Sequence, residues 1–154
     1  YTTLFRSIYT YDPSNVQIIM GGVPMSGFAD GTFVSVAFDE DQYTKTVGAD
    51  GEVSRSKSNN NTATVTLTLK QTSSSNDALS EFYKADRLNN EGAVPLMIKE
   101  IGTGRTLCFA QAAWVQKLPD VAYSKDIEDR VWTLGTGQME ISVGGNATNV
   151  QSEV

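Results

Sequence analysis

The stretch TATVTLTLKQ, Thr62 to Gln71, alternates without a fault, with Ala63, Val65, Leu67 and Leu69 on one side and Thr62, Thr64, Thr66 and Thr68 on the other. A period of two is the signature of a β-strand with one buried face. Slipping the register by one residue would carry every apolar side chain into water, so the pattern constrains pairing as well as conformation. The chain must therefore build a sheet that is packed on one side and presents threonine hydroxyls on the other.

The rest of the chain supplies partners for that strand. Val16 to Met20 is an apolar run broken by Gly21 and Gly22, which predicts a bulge or bend before Pro24. Asp30-Gly31, between FA and TF, predicts a two-residue hairpin turn into a strand over Phe33 to Phe38. Further strands are expected at Val94 to Ile101 and Thr106 to Leu118, joined by a turn at GTGR, and as a broken strand within VWTLGTGQMEISV. The period changes once, in SSSNDALSEFYKADRLNNEG. Ser75 or Asn76 can cap, Asp77 complements the dipole of the first turn, and Ala78, Leu79, Phe82 and Ala85 form a stripe. This predicts one amphipathic helix over about 76–90, with Gly92 available to stop it.

Strands, one helix, then strands make a mainly β chain. The expected architecture is an antiparallel two-sheet sandwich or partly open barrel with one covering helix. The 154 residues match one domain, 1–154, with no internal repeat and no linker. From about residue 144 the sequence GGNATNVQSEV is small and polar, and a flexible tail is expected.

One segment resists this scheme. VGADGEVSRSKSNNN, residues 47–61, holds only three apolar side chains, Val47, Ala49 and Val53. Loops of this length without structure of their own are uncommon in compact domains and are usually functional or disordered.

Catalysis finds little to stand on. Histidine is absent and Cys108 is the one cysteine, which removes an intrachain disulfide framework, a Cys/His zinc cluster and every histidine-based nucleophile pair. Ser54 and Lys57 fit S-x-x-K, but that chemistry needs both residues at a helix N-terminus in a buried pocket, whereas here they lie in a polar arm. The clusters Asp39, Glu40, Asp41 and Asp126, Glu128, Asp129 lack the ligand spacing and central glycine of a calcium loop, and read as solvated charge. The paired glycines of IGTG and LGTG lack the strand and helix context of a dinucleotide fingerprint and read as turns or bulges. Cys108 reads as a packed thiol, and Trp114 and Trp132 as core or interface anchors. The sequons at Asn60 and Asn146 have meaning only on a secretory route. No catalytic residue, metal ligand or cofactor is expected.

Twelve basic and eighteen acidic residues give a formal charge of −6, the wrong sign for gripping phosphate backbones. No apolar run is long enough to span a bilayer, and the first residues lack the order of a signal peptide, so a soluble, intracellular protein is expected. What remains is a β domain with open edges, a hydroxyl-lined face and a long arm. Exposed edges invite pairing, so assembly is the coherent expectation.

The sequence resembles the tail tube proteins of contractile-tailed bacteriophages, a superfamily that extends to the tubes of type VI secretion systems. DPSNV with the following GG, the VGADGEVSRSKS arm and the TSSSND helix start carry the resemblance best, and it covers roughly Tyr11 to Gly144. It implies a two-sheet β fold with one outward helix, six copies to a ring, and rings stacked into a hollow tube inside a contractile sheath. Inward sheets of six subunits would close a continuous barrel and satisfy the open edges. The 47–61 arm would reach the neighbouring ring, with Asp50, Glu52, Arg55 and Lys57 as the contact candidates. The channel would pass DNA without binding it. Six chains at −6 carry −36 per ring, which repels phosphates, and Thr64, Thr66 and Thr68 are the candidates to line the lumen. The implied partners are the chain itself, the tail sheath, baseplate and tail terminator proteins. The implied place is the virion tail, assembled in the host bacterial cytoplasm. A tube subunit of a contractile bacteriocin or type VI system shares these expectations with another cargo. A β-sandwich binding module, using Trp114, Trp132 and the tyrosines to contact carbohydrate or protein, is the reading from a different class.

Overall fold

A computed structural model describes residues 6–101, 106–145 and 148–152. Among the described residues eleven strands and one α-helix occur in this order: β1 Arg6–Thr10, β2 Val16–Met20, β3 Val23–Pro24, β4 Val34–Phe38, β5 Tyr43–Val47, β6 Val53–Lys57, β7 Thr62–Lys70, α1 Ser75–Asn89, β8 Val94–Glu100, β9 Leu107–Lys117, β10 Asp129–Ser142 and β11 Thr148–Ser152. A 3-10 turn over Pro13–Asn15 precedes β2, with the Asp12 carboxylate accepting from the Ser14 amide at 2.9 Å. The chain is mainly β with antiparallel sheets and one helix.

Seven strands form the main sheet in the order β3-β2-β8-β9-β10-β7-β4. The alternation read in β7 holds along its length: Ala63, Val65, Leu67 and Leu69 are buried, and Thr62, Thr64, Thr66 and Thr68 are half-buried on the opposite face. Ile18 and Met20 of β2, Leu96 and Ile98 of β8, Ala110 and Ala113 of β9, and Trp132 and Leu134 of β10 complete the core. Each large side chain moved out of water here contributes about 1.5–3 kcal/mol. Helix α1 covers this core with Leu79, which is fully buried, and with Ala78, Phe82 and Tyr83.

The sheet curls without closing. Segment 23–29 leaves β2, where the Met25 amide donates to the Ile18 carbonyl at 2.8 Å, and arrives at β7, where the Gly27 carbonyl accepts from the Lys70 amide at 2.8 Å. Between β4 on one side and β2 with β8 on the other lies a cavity of about 570 Å³ walled by Val16, Phe33, Val34, Val36, Ile98 and Cys108. The outcome is the partly open form of the expected barrel.

Several expectations need correction. Asp30-Gly31 makes no hairpin. Phe28 bridges Leu69 and Val34 pairs with Leu67, so both flanks run along β7 and residues 29–33 form an excursion clamped by stacked Phe28 and Phe33 rings, 4.8 Å apart. The tight hairpin sits instead at Gly21-Gly22, both with positive φ, joining β2 to β3. Two successive left-handed residues are what such a turn needs. Ser74 holds the N-cap position without a side-chain capping bond, the Ser75 amide donates to Ser73 Oγ at 3.2 Å, and neither Ser75 nor Asn76 stands at the cap. Ser75 Oγ accepts from the Ser26 amide at 2.9 Å, and Asn76 Oδ1 accepts from Trp132 Nε1 at 2.8 Å, so tertiary contacts have drafted both. Asn90, not Gly92, takes the left-handed C-cap conformation. The break in the last strand is a bulge between Gly135 and Gln138, as expected of LGTG. The GTGR turn and the sequon at Asn146 lie outside the described residues. Thr148–Ser152, within the expected tail, pairs antiparallel with β1.

Candidate assembly interface

The polar stretch is more regular than its composition suggests. β5 and β6 form a two-stranded antiparallel hairpin in the register Tyr43↔Lys57, Lys45↔Arg55, Val47↔Val53. Its first strand begins four residues before the predicted arm, and its last residues, 58–61, lead into β7. The tip turns over Gly48–Glu52: Gly51 is left-handed, the Gly48 amide donates to the Glu52 carbonyl at 2.8 Å, and Asp50 Oδ1 accepts from the Glu52 amide at 3.2 Å.

Every residue of β5 and β6 is exposed, and the pair belongs to a sheet of its own. Strand alternation sorts the side chains onto two faces. Thr44, Thr46, Ser54 and Ser56 share one. Tyr43, Lys45, Val47, Val53, Arg55 and Lys57 share the other, with the Arg55 guanidinium 4.6 Å from the centre of the Tyr43 ring. The arm therefore has a hydroxyl face, a cationic and apolar face, and an acidic tip.

Of the four sequence-predicted contact residues, Arg55 and Lys57 fall on the cationic face and Asp50 and Glu52 at the tip. Lys45, outside that set, lies opposite Arg55 on the same face, a placement that the alternation in YTKTV signals.

The base is a polar network. Ser58 Oγ donates to the Glu40 carboxylate, Gln42 Nε2 donates to the Asn60 carbonyl at 3.3 Å, and Asn60 Oδ1 accepts from the Thr62 amide at 3.0 Å. Thr62 and Thr64 Oγ1 donate to the two oxygens of Asp39 at 2.7 and 2.6 Å. These hydroxyls, Thr64 first, hold the Asp39 carboxyl below its ordinary value.

The lumen candidates Thr64, Thr66 and Thr68 lie together on the face of β7 turned away from the core. Thr66 is flanked there by Thr133 of β10 and Ser35 of β4. Trp132 is core, whereas Trp114 is half-buried and covers Gly135, where a Cβ would come within 2.9 Å of the indole nitrogen. Burial raises the Cys108 thiol pKa, which suits packing and not attack. Among the described residues no group of three Asp, Glu or Cys side chains gathers to hold a metal, and no helix is long and apolar enough to cross a membrane.

Comparison with known proteins gives relatives in phages and fold neighbours in contractile injection systems. The chain is 32% identical over 145 residues to structural protein ORF10 of Pseudomonas phage KPP10, covering 89% of this chain and 83% of that protein. The fold is shared with the tube-terminating cap of the anti-feeding prophage (TM-score 0.61, 17% identity, 89% and 93% covered). It is also shared with the sheath/tube terminator of an extracellular contractile injection system (0.60, 13%, 88% and 99%) and with a chain of that system's sheath-tube complex (0.56, 14%, 95% and 93%). The family model of the bacteriophage PhiTE tail tube protein matches residues 17–144. The chain belongs to this family of phage tail tube proteins, structural components of the virion and not enzymes.

Proposed function

We propose that the chain is the repeating subunit of the inner tail tube: six copies form a ring, rings stack into a tube within the sheath, and the tube conducts the genome. The observation that carries this reading is the arm. A two-stranded hairpin alone is marginally stable in water, yet this one keeps full register with all ten strand residues exposed. A ribbon of that kind gains stability by laying a face on a neighbour. The open edges of the main sheet, β3 and β4, support the same reading, since edge pairing between copies would satisfy them. The hydroxyl face of β7 is uncharged and so lacks the cations that grip a phosphate backbone, which suits a channel wall that lets DNA slide past. In this reading the sheath, baseplate and terminator proteins are the partners, and assembly takes place in the host cytoplasm.

A second reading draws on the likeness to a tube cap and a tube terminator. Such a subunit would ring without propagating. Negative-stain microscopy of the purified, concentrated protein separates the two. A tube subunit gives stacked rings, and replacing Thr44–Ser56 by a short turn leaves single rings or monomers of unchanged melting temperature. Single rings from the intact chain would favour the terminator, and persistent monomers would sink both.

A further inference from the structure

Arg130, the second residue of β10, lies on the core side of the sheet and is 7% exposed, with Nη1 buried and without a hydrogen-bond partner. Its guanidinium lies 5.2 Å from the centre of the Tyr123 ring, itself 75% exposed. Asp126, Glu128 and Asp129 are close in sequence, yet none forms an ion pair with it. Burying a cation without a counter-charge costs several kcal/mol in general. Arg130 lines a cavity of about 320 Å³ with Asn76, Ser80, Leu118, Tyr123 and Trp132, a polar and aromatic recess large enough for a carboxylate side chain.

We infer that this recess receives the Glu52 carboxylate from the arm tip of a second copy of the chain. The inference rests on the stacking role proposed for the arm and names its receptor. Glu52 is the free anion of the tip: Asp50 already accepts from the Glu52 amide, whereas the Glu52 side chain has no partner among the described residues. The surroundings complement each other as well. The cationic face behind the tip carries Lys45, Arg55 and Lys57, and the segment beside the recess is acidic on balance, with Asp120, Asp126, Glu128 and Asp129 against Lys117 and Lys125. Apolar surface matches likewise, with Val47 and Val53 exposed on the arm and Leu118, Val121 and Ile127 exposed beside the recess. Two different patches of one chain meeting in this way form a heterologous contact, which made between successive rings does not close and so extends the stack.

The test compares the full-length protein with Glu52→Gln, Arg130→Met and the exchange Glu52→Arg with Arg130→Glu, using sedimentation and electron microscopy. Each single variant should raise the concentration needed for stacking at least about tenfold. The exchange should recover most of that loss. Arg130→Met should keep or raise the melting temperature of the unassembled chain, because an unpaired buried charge has been removed. Stacking that survives both single variants but fails on arm shortening would overturn the receptor and leave the arm's role standing. Stacking that survives arm shortening too would overturn both. Wild-type tubes from Arg130→Met that no longer bind sheath would assign the recess to a carboxylate of the sheath protein, against this inference.

Discussion

At the residue scale, burial along β7 follows strand geometry alone, side chain by side chain. Leu67 and Thr66 are adjacent and differ in all that matters for stability: Leu67 is 1% exposed, while Thr66 sits on the outer face among hydroxyl neighbours. Leu67→Ala should cost about 2–5 kcal/mol, and Thr66→Ala should stay within about 0.5 kcal/mol. Urea denaturation checks both as shifts in midpoint at constant slope. Residues whose role is set by distant contacts were less legible. Gly92 reads as a helix stop, but a Cβ there would come within 2.2 Å of Asp86 Cβ and 2.6 Å of the Phe82 carbonyl. It is glycine because the returning chain passes tight against the helix, and Asn90 is left to take the left-handed cap. Ser75 and Asn76 were likewise committed to Ser26 and Trp132, partners 49 and 56 residues away.

At the scale of elements, the arm shows what hydrophobic periodicity omits. Its two strands do alternate, but hydroxyls alternate with charges, and neither face is buried in the single chain. A search for apolar spacing therefore reads a loop. What anchors the hairpin is chemistry at its base, and that chemistry titrates. Asp39 is held below its ordinary pKa by Thr64 and Thr62, so its contribution is present above the ordinary carboxylate range and is lost as pH falls through the lowered value. The Asp39 amide donates to the Thr62 carbonyl at 3.0 Å and reports on the junction. Its hydrogen-exchange protection, corrected for intrinsic rates, should fall on acidification from pH 6 to about pH 3, past the ordinary range near 4. Asp39→Ala should show reduced protection at both pH values and little pH dependence. A wild-type junction indifferent to acid would mean that the backbone holds the base without the carboxylate.

At the scale of the whole molecule, the curl of the sheet was the least legible feature. It depends on segment 23–29 bonding to β2 at one end and β7 at the other, across more than 40 residues, and no local pattern encodes that reach. The curl also leaves β7 with one face to the core and one to the exterior, so in a tube the threonine surface faces the lumen, a neighbouring subunit or the outside. The three are separable by access. Thr66→Cys places a single reactive thiol on that surface, since Cys108 is buried and its thiol pKa is raised. In unassembled protein, small and polymer-linked maleimides should both label Cys at position 66. In assembled tubes a small maleimide should still enter and react, while a polymer-linked one too large for the channel should not, wherever the tube ends are few. Equal labelling by both reagents would put the threonines on the outside of the tube. Loss of labelling by both would bury them between subunits.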